Sequence, residues 1–179
     1  MGNNNSNNRS KERRWPKRII LVRHGESEGN EDKNVYTAVP DHKVQLTEKG
    51  KEQAKNAGEV IRSVVGNCKV YFYVSPFLRT RFMESLWRDI EMEEICESGS
   101  DNLNIVIISH GLTIRIILMR LFKWTAEEVE SLISPKNGEI RILELGHEGK
   151  YSLALHHDDK TLEKWGLSPQ MILDQKQRA

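Results

Sequence analysis

Two stretches of this sequence end an apolar run in groups that water solvates well. Residues 18–30 read RIILVRHGESEGN and residues 104–113 read NIVIISHGLT. The first delivers Arg23 and His24, the second Ser109 and His110, each followed by a glycine. Arginine offers a planar fork of donors that matches phosphate oxygens and stays charged at any working pH. A neutral imidazole among such donors can attack phosphorus through one ring nitrogen while a hydrogen bond on the other fixes its tautomer. The chemistry these residues suit is phosphoryl binding and transfer, with His24 carrying the group transiently. Gly25, lacking a side chain, is expected to let backbone approach the phosphate closely.

Such groups need elements that carry them to one place. RIILV and NIVII are continuous apolar runs, the pattern of strands buried on both faces. Between them, Thr47 is an N-cap candidate for a helix in which Ala54, Ala57, Ile61 and Val64 recur at helical spacing. KVYFYVS reads as a strand, and SPFLRTRFMESLWRDIEMEEI as a helix opened by Ser75-Pro76. Helices follow in LTIRIILMRLF and TAEEVESLI, strands in EIRILEL and YSLALHH on either side of a turn from Gly146 to Gly149, and a short helix in SPQMILDQK. This alternation predicts an α/β fold with a parallel or mixed sheet covered on both faces. Ligands of such sheets bind at the carboxyl ends of the strands, where Arg23-His24 and Ser109-His110 fall.

The 179 residues, 37% hydrophobic and 30% charged, suit one domain with a single core. No apolar run approaches the ~18 residues that span a bilayer, and no apolar secretory block opens the chain, so a cytoplasmic protein is expected. Cys68 and Cys96 have no metal-ligand spacing and read as packing residues. The net charge of +1 is unevenly placed. Arg9, Lys11, Arg13, Arg14, Lys17 and Arg18 stand against Glu12 in a basic arm, which leaves the body acidic. That balance excludes a nucleic-acid-binding core. Residues 1–17 read as a solvated tail. Met1-Gly2 with Ser6 fits the N-myristoylation pattern, so Gly2 acylation and a weak peripheral membrane association, helped by the arm, are expected. His156, His157, Asp158 and Asp159 are read as a strand end running into a solvated turn, not as a metal site.

With these residues in view, LVRHGESEGN resembles the Arg-His-Gly signature of the histidine phosphatase superfamily, especially its phosphoglycerate mutase-like branch. VSPFLRT resembles the family's second arginine motif and IISHGLTIR its second-histidine motif. YSLALHH and WGLSP are similar to plant-type phosphoglycerate mutase-like members. The resemblance implies a three-layer α/β/α sandwich around a mostly parallel sheet. It also implies His24 as nucleophile, and Arg23, Arg79, His110 and Asn30 as ligands of the transferring phosphoryl group. No metal or other cofactor is implied, because arginines and histidines supply the positive charge.

The same family carries, after the second arginine motif, a strand, a loop with the glutamate that acts as general acid and base, and lid helices. Here SPFLRTR passes directly into FMESLWRDI, so residues 18–179 read as a domain lacking that segment after Arg81. Neither Glu26 nor Glu84 matches the acid, which stays unassigned. The expected function is phosphoryl transfer or phosphoester hydrolysis on a phosphorylated small molecule, of the kind used in carbohydrate metabolism, impaired by the loss of the acid. The alternative is a catalytically silent protein that binds a phosphorylated ligand.

Overall fold

The computed structural model describes residues 15–89 and 103–179, with the side chains of 84–89 outside the description. Gly2, Cys96 and the Glu84 side chain accordingly lie outside the described residues. The chain is tied to the fold from Pro16, whose carbonyl accepts the Tyr151 hydroxyl at 2.6 Å, and Lys17 bonds backbone to Leu103 and Leu145. Strand β1 (Arg18–Arg23) leads into the short helices α1 (Glu28–Glu31) and α2 (Val35–Ala38) and a 3-10 turn at Asp41–Lys43. Then follow α3 (Glu48–Val65), β2 (Val70–Val74), α4 (Leu78–Asp89), β3 (Asn104–Ser109), α5 (Gly111–Phe122) and α6 (Ala126–Ser131). The hairpin β4 (Ile140–Leu145) and β5 (Tyr151–Ser152), then α7 (Asp159–Lys164) and α8 (Pro169–Arg178), complete the chain.

Among the described residues the strands form one sheet in the order β2-β3-β1-β4-β5. The expected α/β architecture is present, and its sheet is mixed: β2, β3 and β1 run parallel, whereas β4 runs antiparallel to both its neighbours, β1 and β5. Side chains on β1 alternate between the faces. Leu21 joins Ile114, Leu118, Phe122, Leu143 and Leu162 on one side, and Ile20 and Val22 join Ala54, Ile61, Met83 and Val106 on the other. A strand covered on both faces has no polar side, which is why RIILV reads as an unbroken apolar run. Each aliphatic side chain buried there contributes ~1.5–3 kcal/mol.

Local chemistry sets the element ends. Thr47 caps α3 by accepting the Gly50 amide at 3.0 Å, and Thr125 and Glu128 close a capping box on α6. Ser168 caps α8 with Pro169 in its first turn. Two expected elements are shorter. The helix expected from Ser75-Pro76 begins at Leu78, because the Thr80 hydroxyl turns back to the Ser75 and Phe77 carbonyls. The strand read over YSLALHH pairs only at Tyr151 and Ser152. Beyond it the Leu153 amide and the Ser152 hydroxyl bond to Gln175 of α8, which takes the backbone away from the sheet.

Candidate active site

Strands β1 and β3 end at the same level, with Arg23 paired to Ser109. The next residues, His24 and His110, emerge side by side at the carboxyl edge, their rings 5.2 Å apart and edge-on. Strand β2 ends one step away, and its Ser75 amide bonds the Ile108 carbonyl. Parallel pairing in register thus brings residues from three distant parts of the chain to one rim.

His24 is 4% exposed. Its Nδ1 lies 2.7 Å from the Gly25 carbonyl, an acceptor that requires Nδ1 to carry the proton. Nε2 then keeps its lone pair, and it has no hydrogen-bond partner among the described residues. Burial pushes the His24 pKa down to about 3, assisted by the charges of Arg79 and Arg23 and by neighbouring His110. His24 is therefore a neutral base at any physiological pH.

His110 occupies the N-cap position of α5, where the helix dipole favours an anion. Its Nδ1 is 3.5 Å from Arg79 Nη2 and its Nε2 is 2.9 Å from the Ser75 hydroxyl. A guanidinium only donates, so Nδ1 is the acceptor and Nε2–H points to Ser75. Burial, Arg79 and Arg23 lower its pKa, and Asp41 opposes them.

Arg79 is 6% exposed and stacks on Phe77, 4.6 Å from the ring centroid. Its Nη1 bonds both the carbonyl and the carboxylate of Asp41, at 2.7 and 2.9 Å. Arg23 donates through Nη1 to the Pro135 carbonyl at 2.6 Å, while its Nε is buried without a partner. Burial lowers the Arg23 pKa, and Glu139 counters it. Asn30 is exposed, and its Oδ1 accepts from the Ser27 amide, the Ser27 hydroxyl and Asn137.

The structure thus gathers His24, His110, Arg23, Arg79 and Asn30 around one rim. Sequence reasoning missed Asp41, Ser75, Pro135 and Asn137. Each meets its partner across tens of residues, and only the Lys-Asn-Gly turn signal marked the segment holding Asn137. Gly25 is also required by packing. A side chain there would collide with the Gly50 carbonyl, and one at Gly50 with the Glu26 carbonyl. Both glycines let the turn after β1 pack on the first turn of α3.

Glu26, the carboxylate that follows His24 most closely in sequence, is engaged by neighbours on α3 and its N-cap. Its carboxylate bonds Lys49 Nζ at 2.7 Å and the Thr47 hydroxyl at 3.2 Å, and these bonds hold its pKa below the usual carboxylate value. His157 is likewise committed: its Nε2 accepts the Ile142 amide at 3.0 Å, its ring packs edge-on against Trp165, and burial lowers its pKa to about 4. Asp158 caps α7 through the Thr161 amide. Among the described residues no His, Cys, Asp and Glu group has metal-holding geometry. No described helix is long and apolar enough to cross a membrane.

Comparison with known proteins follows this geometry. The chain is 40% identical to phosphoglycerate mutase-like protein AT74 of Arabidopsis thaliana over 240 aligned positions, covering 92% of this chain and 76% of that one. Its fold is similar to that of YhfR of Bacillus stearothermophilus, with a TM-score of 0.57 at 15% identity, covering 79% of this chain and 96% of YhfR. It is also similar to a mycobacterial glucosyl-3-phosphoglycerate phosphatase in complex with VO3, with a TM-score of 0.53 at 15% identity over 76% of this chain and 96% of that one. The family model described as histidine phosphatase superfamily (branch 1) matches residues 19–84 and 89–158. Taken with the paired histidines and the two arginines at the sheet edge, this match means that the chain belongs to the histidine phosphatase superfamily.

Proposed function

We propose that the protein takes a phosphoryl group from a phosphorylated small molecule onto Nε2 of His24. Arg23, Arg79, His110 and Asn30 bind the phosphate oxygens. The observation that carries this reading is the neutral His24 ring, tied at Nδ1 to Gly25 and set against His110 and two guanidinium groups. The Nε2 lone pair forms the N–P bond as the P–O bond breaks, and the electron pair leaves on the ester oxygen, which must gain a proton. Water then attacks phosphorus, the N–P bond breaks, and phosphate departs. The kinship with a phosphoglycerate mutase-like protein and the fold shared with a glucosyl-3-phosphoglycerate phosphatase favour a phosphorylated sugar or sugar acid as substrate.

We further read residues 18–179 as a family domain shortened after Arg81. In support, the 240 aligned positions exceed the 179 residues of this chain, and the family match is interrupted after residue 84. Without the matched glutamate, esters of alcohols with high pKa turn over slowly, because a positioned general acid contributes ~10² to 10⁴ in rate. The commitments of Glu26 to Lys49, Asp41 to Arg79 and Glu139 to Arg141 favour a second reading, a protein that binds phosphorylated ligands without turning them over.

Incubation with p-nitrophenyl phosphate and with an alkyl phosphate, followed by assay for acid-labile phosphate on His24, tests both. Labelling by the aryl ester well ahead of the alkyl ester, lost in His24→Ala, is the expected result. An alanine variant that labels like the parent removes His24 as nucleophile. Absence of label beside measurable phosphate binding favours the second reading.

A further inference from the structure

Building on the phosphohistidine reading, we propose that Asn137 is a positioning residue that sets both the His24 tautomer and the orientation of the Asn30 amide. Asn137 lies in the turn between α6 and β4. Its Nδ2 is 3.2 Å from the His24 carbonyl, 3.2 Å from the Gly25 carbonyl and 3.0 Å from Asn30 Oδ1. The Gly25 carbonyl is the acceptor of the His24 Nδ1 proton. A carbonyl oxygen has two lone pairs, so it can serve the imidazole with one and Asn137 with the other. Held by Asn137, that carbonyl stays aimed at Nδ1, and the reacting lone pair stays on Nε2.

The same atom acts on Asn30. With the Ser27 amide, the Ser27 hydroxyl and Asn137 all directed at Oδ1, the oxygen of Asn30 is committed. Its NH2 group is left as the end that can donate to a phosphate oxygen. The turn that carries Asn137 is itself fastened to the nucleophile strand. The Gly138 amide reaches the Arg23 and His24 carbonyls, the Glu139 carbonyl accepts the Arg23 amide, and the Pro135 carbonyl takes the Arg23 guanidinium. Inside the turn, the Glu139 carboxylate takes the Lys136 amide and Arg141 Nε. A turn alone accepts aspartate or serine as readily as asparagine. The two hydrogens of Nδ2 serve these three oxygens with one hydrogen shared between the adjacent His24 and Gly25 carbonyls, and aspartate would set oxygen against oxygen.

The test compares the full-length parent with Asn137→Ala and Asn137→Asp, using protein labelled with nitrogen-15 at histidine. In the parent, His24 shows the Nδ1–H tautomer at neutral pH. In the variants the two ring nitrogens move toward averaged shifts. Phosphorylation of His24 by p-nitrophenyl phosphate slows on the order of tenfold, the loss expected when one ordinary hydrogen bond no longer holds a reacting group. Affinity for inorganic phosphate, for which Asn30 is one ligand beside Arg23, Arg79 and His110, falls less than the rate. An unchanged tautomer, or an equal fall in rate and affinity, overturns the proposal. If neither variant folds, Asn137→Ser, which keeps one donor on a shorter arm, carries the comparison, and its failure to fold makes Asn137 a scaffold residue and overturns the proposal. A parent that never labels at His24 defeats the phosphohistidine reading, while the tautomer comparison still decides the role of Asn137.

Discussion

Replacing Asp41 with asparagine should tighten phosphate binding. The Asp41 carboxylate sits 2.9 Å from Arg79 Nη1, on the same guanidinium that faces His110. An arriving phosphate must displace that carboxylate or settle beside it against repulsion. Asparagine at this position would keep the size of the side chain and the backbone carbonyl that also binds Arg79, removing the negative charge alone. The magnitude is limited by solvent, because the Asp41 side chain is 53% exposed although that of Arg79 is 7% exposed. Ion pairs with an exposed partner contribute ~0.2–1 kcal/mol, so the upper figure corresponds to roughly fivefold in Kd. Calorimetric titration with inorganic phosphate at fixed pH gives the comparison directly, and the difference should shrink as salt is raised. Asp41 also raises the His110 pKa against burial and Arg79, so the variant should show a lower His110 pKa in an NMR titration. Unchanged or weaker phosphate binding by Asp41→Asn would refute the reasoning and make Asp41 the residue that holds Arg79 in place.

Acid should weaken the fold through its buried histidines. The His24 and His157 pKa values are pushed down to about 3 and about 4, chiefly by burial, and that of His110 is also lowered. The unfolded chain takes up these protons near pH 6.5, at the unperturbed histidine value. The stability that the neutral rings contribute is thus intact above that pH and declines as pH falls toward 4 and 3. Urea midpoints should be lower at pH 5 than at pH 7, and equal midpoints would contradict the burial of neutral imidazoles. In the core, Leu118→Ala deletes a fully buried side chain on the α5 face of the sheet and should cost ~2–5 kcal/mol in chemical unfolding. A cost below about 1 kcal/mol would mean that this face is loosely packed.

What the sequence by itself determined is the part of the site that depends on local pattern. Apolar runs such as RIILV and NIVII announce strands covered on both faces, and in a parallel pair the residues just past both strand ends must share an edge. Arg23, His24 and His110 were legible for that reason, whereas Arg79 and Asn30 came only through the resemblance to the family's motifs. The caps at Thr47, Thr125 and Ser168 rest on side chains that reach backbone three residues on, so they too are written locally. Tertiary structure alone decided which groups tune that site. Asn137 meets the His24 carbonyl 113 residues away, Asp41 meets Arg79 across 38, and Ser75 meets His110 across 35. Tertiary structure also decided that Glu26 serves Lys49 and that the final strand ends at Ser152, where Gln175 of a distant helix captures its backbone. Hydrogen bonds between distant segments leave no period or spacing in a single chain. They arise only when the sheet has brought those segments within about 3 Å of one another.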